Sequence, residues 1–95
     1  MLFRRRCYRN NFRQGQITID EMKNKIKQGA IVIDVRSKQE YNEGHIQDAI
    51  NIPDHEVNNN IENIVRDKNQ LVVLYCQSGS RSQNAYMKML RKGYK

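Results

Sequence analysis

The sequence predicts an α/β fold in which helices flank a parallel sheet. Three short apolar segments, 30–35, 49–52 and 71–75, alternate with segments whose apolar residues recur at helical spacing. The first and third are apolar almost throughout, which is typical of strands buried on both faces of a parallel sheet. Strands and helices that alternate in this way form a sheet covered by helices. The 95 residues are enough for one domain.

Capping residues define the first two predicted helices. Thr18–Glu21 has the pattern of a capping box, and the helix that it begins is expected over residues 19–28. Ser37–Glu40 repeats the pattern, and Gly44 ends the short helix that follows. Both helices therefore begin with a side chain that accepts a hydrogen bond from the first turn.

The second half of the chain adds two more predicted helices. Asp54 is the expected N-cap of the third helix, and a turn follows over residues 67–70. The apolar stripe of this helix is predicted to contain Val57, Ile61, Ile64 and Val65. The fourth helix is expected over residues 82–92, with Gly93 ending it.

The chain is basic, and most of the excess charge lies at its N-terminus. There are 17 lysines and arginines against 10 acidic residues, a net charge of +7. The first nineteen residues contain no acidic side chain and carry Arg4, Arg5, Arg6, Arg9 and Arg13. We predict a basic tail over residues 1–16 and a nearly balanced domain over residues 17–95. A solvated tail, a weak contact with a polyanion or membrane surface, and a transit peptide are the open interpretations; no specific nucleic-acid partner is predicted.

Neither a membrane span nor a secretory signal is expected. The longest unbroken apolar run is Leu71–Cys76, whereas a spanning helix needs about twenty residues. No apolar stretch follows the N-terminal arginines. The two cysteines, Cys7 and Cys76, make no disulfide framework, so a reducing, cytoplasmic compartment is predicted. Cys7 is interpreted as an exposed bystander or, alternatively, as a resolving thiol.

The loop after the third predicted strand is the chemically informative segment. Cys76 ends a buried strand, and ligands of open α/β sheets gather at the carboxyl ends of strands. Gly79 provides the positive φ that a curled loop needs, and the next helix directs its positive end toward the loop. Arg81 adds a full charge. This pattern predicts a thiolate in a cradle of amides; the alternative is that Cys76 is only a small buried side chain.

The spacing in this loop separates two classes of enzyme. Cysteine-dependent phosphatases place five residues between cysteine and arginine, so that the cradle can surround a phosphoryl group. Here only residues 77–80 lie between Cys76 and Arg81. A smaller ring suits a single additional sulfur atom better than a phosphate. A small phosphatase or arsenate reductase is therefore a less favoured alternative.

Two ordered motifs resemble those of the rhodanese-like sulfurtransferase family. The segments that resemble the first signature are Asp34–Arg36, Glu40–Tyr41, Gly44–Ile46, Ala49 and Asn51–Pro53. Residues 75–82 resemble the active-site loop, and the resemblance covers about residues 17–95. It implies a three-layer fold with a parallel sheet flanked by helices. The chain stops soon after Gly93, so the resemblance also implies that the last C-terminal strand is absent.

The resemblance also implies an activity and a set of site residues. Cys76 would be the nucleophile, take a sulfane sulfur from a small anionic donor such as thiosulfate, and pass it as a persulfide to a thiol or cyanide. A protein thiol is a further candidate acceptor, and no cofactor or metal is implied. Cys76 and Arg81 would be catalytic. The implied substrate-binding residues are Gln77, Ser78, Gly79, Ser80, Arg81 and Ser82.

The short C-terminus motivates two further expectations. An incomplete sheet would expose a strand edge, which favours self-association. It would also be consistent with a non-catalytic or weakly active sulfur carrier or interaction module.

Polar residues near the first strand are predicted to support the site. Asp34, Arg36 and Glu40 are interpreted as a charge network, with Arg36 bound to Glu40 and Asp34 bound to backbone amides; direct substrate contact is the alternative. His45 is expected to make a backbone hydrogen bond in a turn; the alternative interpretation is a general base. Tyr75 is expected in the core.

His55 is expected to be exposed, because it lies in a polar helix start. No spacing of cysteine and histidine matches a zinc site.

Overall fold

The computed structural model describes residues 17–77 and 79–94. The predictions for the basic tail, for Cys7 and for Ser78 therefore lie outside the described residues. The helices are α1 (Ile19–Lys27), α2 (Lys38–Glu43), α3 (Val57–Ile64) and α4 (Ser80–Arg91), with a 3-10 turn over Asp54–Glu56. The strands are β1 (Ile31–Asp34), β2 (Ile50–Asn51) and β3 (Val72–Tyr75). Within the described ranges, no helix has both the length and the hydropathy needed to cross a membrane.

The three strands form one parallel sheet in the order β2-β1-β3. Ile33 of β1 lies opposite Ile50 of β2 and Leu74 of β3. Because all strands run in the same direction, their carboxyl ends meet at one edge of the sheet. Asp34 and Asn51 pair across this edge, as do Asp34 and Tyr75. The predicted parallel α/β sheet is confirmed.

Helices cover both faces of the sheet, and alternate residues of β1 enter opposite cores. Ile33 belongs to a core that contains Val57 and Ile61 of α3 and Ala85 of α4. Val32 belongs to a second core, which contains Met22 of α1, Ala49, Val73 and Tyr75. Val32 and Ile33 of the central strand are both buried. The three-layer arrangement explains why this strand is apolar at consecutive positions.

The two capping boxes form as the sequence predicts. The Thr18 hydroxyl accepts the Glu21 N–H, and the Glu21 carboxylate accepts the Thr18 N–H in return. Ser37 and Glu40 make the same reciprocal pair at the start of α2. Each box satisfies two N–H groups that a helix terminus would otherwise leave unpaired.

The predicted cap at Asp54 is wrong. A 3-10 turn over Asp54–Glu56 precedes α3, and no side chain caps either element. The Asp54 carboxylate instead receives the Lys88 ammonium group of α4 at 3.3 Å. This ion pair joins segments 34 residues apart, and a local sequence pattern does not reveal it.

Two other boundaries differ from the predictions. α4 begins at Ser80, two residues before the predicted start, so Ser80 and Arg81 lie in its first turn. Ile64 is 39% exposed, whereas Val65 is buried although α3 ends one residue before it. The buried side of α3 is therefore formed by Val57 and Ile61, and Ile64 was wrongly placed in its apolar stripe.

Candidate active site

Cys76 lies at the carboxyl edge of the sheet, directly after β3 and before α4. The residue is fully buried and belongs to the core between the sheet and helices α3 and α4. Gly79, the N-cap of α4, has φ +84°, which is the positive φ predicted for this position. The glycine turns the chain back, so that the first turn of α4 approaches the cysteine.

Two backbone N–H groups point at the cysteine sulfur. The Gly79 N–H donates to Cys76 Sγ at 2.9 Å, and the Ser82 N–H donates at 3.3 Å. In the thiol form, Sγ–H donates to the Ser82 hydroxyl at 3.4 Å, and that hydroxyl donates to the Gly79 carbonyl at 3.0 Å. N–H groups at the amino end of a helix stabilise negative charge. The arrangement can therefore stabilise a thiolate on Cys76 Sγ.

The predicted cradle residues do not all have the same environment. Gly79 and Ser82 contact the sulfur through their N–H groups. Gln77 and Ser80 are exposed to solvent. Ser78 lies outside the described residues. Substrate contacts by Gln77, Ser78, Ser80 and Arg81 stay predictions.

Arg81 forms a two-pronged ion pair with Glu40. Its Nη1 donates to Oε1 at 2.7 Å and its Nη2 donates to Oε2 at 3.1 Å. Hydrogen bonding to Arg81, with further hydrogen bonds from Ser37, lowers the pKa of Glu40 to about 2. The pKa of Arg81 is raised, first by its hydrogen bond to Glu40, with a smaller contribution from the nearby Cys76. The carboxylate of α2 thus holds the arginine that follows the cysteine loop.

Arg36 binds Asp34. The sequence analysis predicted Glu40 as its partner, and this prediction is wrong. Its Nη2 donates to Asp34 Oδ2 at 2.7 Å, and its Nε donates to Asp34 Oδ1 at 3.0 Å. The Arg36 N–H also donates to Asp34 Oδ1, as expected for a nearby backbone amide. The pairing was mispredicted because Arg81, 41 residues beyond Glu40, occupies that carboxylate.

The Tyr75 hydroxyl completes the network around Asp34. It donates to Asp34 Oδ2 at 2.9 Å and accepts the Ile46 N–H at 3.1 Å. Burial is the main reason why the pKa of Tyr75 is raised to about 12, so this hydroxyl keeps its proton. Tyr75 lies in the core as predicted. Its polar role was missed, because the apolar strand pattern reports burial and not hydroxyl partners.

Asn51 fixes the ends of two neighbouring strands. Its side-chain amide donates to the Asp34 carbonyl at 2.9 Å and to the Arg36 carbonyl at 3.0 Å. The sequence motif contained Asn51 but assigned it no role. A polar residue at the end of a predicted strand was the signal that could have indicated such a tie.

Neither histidine has the surroundings of a catalytic base. His45 Nδ1 lies 2.7 Å from the Tyr41 carbonyl oxygen, and the two rings stack with centroids 3.6 Å apart. This is the predicted backbone contact. The His55 side chain is 80% exposed, as expected.

Residues 17–77 and 79–94 contain no group of three His, Cys, Asp or Glu side chains placed to hold a metal.

Known proteins resemble part of this chain in sequence. The chain is 44% identical over 62 residues to thiosulfate sulfurtransferase PspE of Escherichia coli (strain K12), a match that covers 65% of this chain and 60% of that protein. It is 40% identical over 60 residues to thiosulfate sulfurtransferase GlpE of Pseudomonas entomophila (strain L48), which covers 63% and 55% of the two chains. The matches thus span somewhat more than half of these relatives.

A solved structure agrees with these matches. The structure described as "rhodanese with anions from E. coli" superposes with a TM-score of 0.68 at 40% identity, covering 70% of this chain and 79% of that chain. The model of the family described as "Rhodanese-like domain" matches residues 18–95. The chain therefore belongs to the rhodanese-like domain family.

Proposed function

We propose that this protein is a sulfurtransferase that carries sulfur as a persulfide on Cys76. The observation that carries the proposal is the pair of N–H groups, from Gly79 and Ser82, directed at Cys76 Sγ. The two relatives described above are named thiosulfate sulfurtransferases. The geometry of the cysteine loop and the similarity to these relatives both favour sulfur transfer over phosphate hydrolysis.

In the first step, the Cys76 thiolate attacks the outer sulfur of a donor such as thiosulfate. A bond forms between these two sulfur atoms, and the S–S bond of thiosulfate breaks. Its electron pair leaves with sulfite, while the persulfide keeps one negative charge. Before the bond forms, the N–H groups of Gly79 and Ser82 stabilise the charge of the attacking thiolate on Cys76 Sγ.

In the second step, an acceptor takes the outer sulfur. A thiolate or cyanide ion attacks the terminal sulfur of the persulfide, and the electron pair of the breaking bond returns to Cys76 Sγ. The products are a new persulfide or thiocyanate, and the cysteine thiolate is regenerated. Ser82 N–H and Gly79 N–H receive the charge again, so one set of donors serves both steps.

Access to the sulfur requires a local movement, because Cys76 is fully buried. The loop carries exposed Gln77 and the left-handed Gly79, and it begins immediately after the strand. We propose that a movement of Gln77 and Gly79 admits the outer sulfur of the donor. A reaction centre that closes around the bound sulfur also strengthens its hydrogen bonds by excluding water.

The proposal is tested by mass spectrometry after exposure to thiosulfate. The Cys76 peptide of the wild-type protein should gain about 32 Da, one sulfur atom, and Cys76→Ser should gain nothing there. Cyanide should then remove the added mass and release thiocyanate over many turnovers. No adduct on Cys76 in the folded wild-type protein would refute the proposal.

The same experiment separates the enzyme from a non-catalytic sulfur carrier. A carrier would form the persulfide once and hold it, without multiple turnover in the presence of cyanide or a thiol. The enzyme would regenerate free Cys76 in each cycle.

The proposed partners are a small anionic sulfur donor and a thiol, protein thiol or cyanide acceptor, and the proposed location is the cytoplasm.

We also propose self-association through β3. Within the described sheet this strand pairs only with β1 and forms one edge of the sheet, and edge strands favour pairing between chains. Sedimentation that stays monomeric at high concentration would contradict self-association.

A further inference from the structure

The charge around the cysteine loop is more balanced than its arginine suggests. Arg81 binds Glu40 through both terminal nitrogens, at 2.7 and 3.1 Å. At the same edge of the sheet, Arg36 is bound to Asp34 in a similar way. Each of these two guanidinium groups thus has a carboxylate against it.

We propose that Glu40 sets the charge selectivity of the site, by cancelling the charge of Arg81 next to Cys76. Glu40 is then a specificity-determining residue that acts through Arg81. With the pair intact, an incoming anion is held mainly by N–H groups. These groups bind one negatively charged sulfur, whatever the total charge of the donor. Without Glu40, the guanidinium would attract more highly charged donors most strongly.

The geometry supports a lasting cancellation. Glu40 is held from two sides, by Arg81 and by the Ser37 N–H at 3.0 Å. Because its pKa is lowered to about 2, it stays ionised at neutral pH. The field of a cation with an adjacent anion falls off with distance much faster than the field of the cation alone. The pair therefore presents a dipole to the donor, and not a full positive charge.

The consequence for donors rests on the proposed sulfur transfer. Thiosulfate is a dianion, whereas methanethiosulfonate is a monoanion that offers the same kind of outer sulfur. The Cys76 thiolate would attack either one, and the electron pair would leave with sulfite or with methanesulfinate. Comparing these donors isolates the effect of charge on one chemical step.

Glu40→Gln is the informative variant, since glutamine keeps the capping box of α2 while removing the charge. Glu62→Gln is the matched control. Glu62 binds Lys68 at 2.9 Å and Lys92 at 3.2 Å. Lys92 is the C-cap of α4, about 16 Å along the helix from Arg81. The control removes the same charge from an ion-paired glutamate far from the cysteine.

The first test uses alkylation of Cys76, which does not depend on sulfur transfer. The rate with anionic iodoacetate is divided by the rate with neutral iodoacetamide, and the Cys76 peptide is followed by mass spectrometry. Glu40→Gln should raise this ratio about fivefold at low salt, and 0.5 M salt should reduce the gain. Glu62→Gln should leave it at the wild-type value. An unchanged or lowered ratio in folded Glu40→Gln would overturn the proposal.

Arg81→Gln provides an independent variant. It leaves the Glu40 charge uncompensated, so the iodoacetate-to-iodoacetamide ratio should fall below that of the wild type. The double variant Glu40→Gln with Arg81→Gln should return the ratio toward the wild-type value, because both charges are gone. A double variant that keeps the full gain of Glu40→Gln would show that Glu40 does not act through Arg81.

The second test measures kcat/KM for thiosulfate and for methanethiosulfonate. Glu40→Gln should raise kcat/KM for thiosulfate relative to kcat/KM for methanethiosulfonate about fivefold. A purely structural role of Glu40 would lower both values equally. If the alkylation ratio shifts as expected but neither donor forms a persulfide, the charge selectivity holds and the proposed function fails. If persulfide forms but neither ratio shifts, the function holds and this inference fails.

Discussion

Two arginine–carboxylate pairs lie at the carboxyl edge of one sheet and differ in burial. In the pair that follows β1, the side chains of Arg36 and Asp34 are 7% and 0% exposed. In the pair beside the cysteine loop, the side chains of Arg81 and Glu40 are 33% and 26% exposed. The first pair joins residues two positions apart, whereas the second joins α2 to α4.

Both residues of the buried pair have a further partner from another segment, whereas the further partner of Glu40 is Ser37 of its own capping box. Asp34 also binds the Tyr75 hydroxyl, and Arg36 also donates to the Gly44 carbonyl at 2.6 Å. Its hydrogen bond to Asp34 is the main reason why the pKa of Arg36 is raised. While intact, a buried pair of this kind contributes little to the free energy of unfolding. Removing one partner lowers that free energy strongly, because the other charge stays buried without compensation. The comparison teaches that similar chemistry is enclosed in the fold at one strand end and partly exposed to solvent at the other.

The largest expected effect on stability comes from breaking the buried pair. Asp34→Asn leaves the Arg36 cation buried without its counter-charge, which should lower the free energy of unfolding by about 3–5 kcal/mol. Urea denaturation followed by circular dichroism measures the change. Glu62→Gln, which removes an exposed carboxylate, should leave the unfolding midpoint nearly unchanged. A midpoint in Asp34→Asn that matches this control would show that the network does not hold the fold.

A smaller effect is expected from removing one hydroxyl of the same network. Tyr75→Phe leaves the Ile46 N–H without its acceptor and Asp34 without one donor, which should cost about 1–2 kcal/mol in the free energy of unfolding. The control is Tyr86→Phe, because the Tyr86 hydroxyl makes no hydrogen bond within the described ranges. Equal losses in the two variants would contradict a special role for Tyr75.

The smallest effect is expected from the half-exposed pair, and it depends on pH. Because the pKa of Glu40 is about 2 in the folded protein and 4.5 in a free side chain, the carboxylate stabilises the fold above about pH 4.5. This contribution, about 1 kcal/mol or less for a pair with access to solvent, is lost as the pH falls from about 4.5 toward 2. Urea denaturation at pH 6 and pH 3 should therefore show a smaller loss for Glu40→Gln than for the wild type. An equal loss in both proteins would assign the acid sensitivity to other carboxylates.

Local signals in the sequence predicted most of the architecture. The apolar segment around Ile33 indicated a strand buried on both faces, and β1 is such a strand. Ser37 and Glu40 indicated the start of α2, and Gly79 indicated the turn that precedes α4. These predictions succeeded because capping, burial on both faces and positive φ depend on neighbours along the chain.

Predictions that needed a distant partner were less reliable. Glu40 was assigned to Arg36, four residues away, when its partner is Arg81, 41 residues away. Asp54 was assigned to a helix start, whereas its carboxylate binds Lys88. Charged side chains are long enough to reach several partners, so local spacing does not select among them.

The sequence by itself determined the alternation of strands and helices, the two capping boxes and the position of Cys76 after a buried strand. Only the tertiary structure decided that Glu40 meets Arg81 and that Tyr75 meets Asp34, each across 41 residues. The physical reason is that hydrogen bonding within a turn or helix is set by nearby residues. The pairing of distant charges is set by how the sheet and helices pack, which brings these side chains together at one edge.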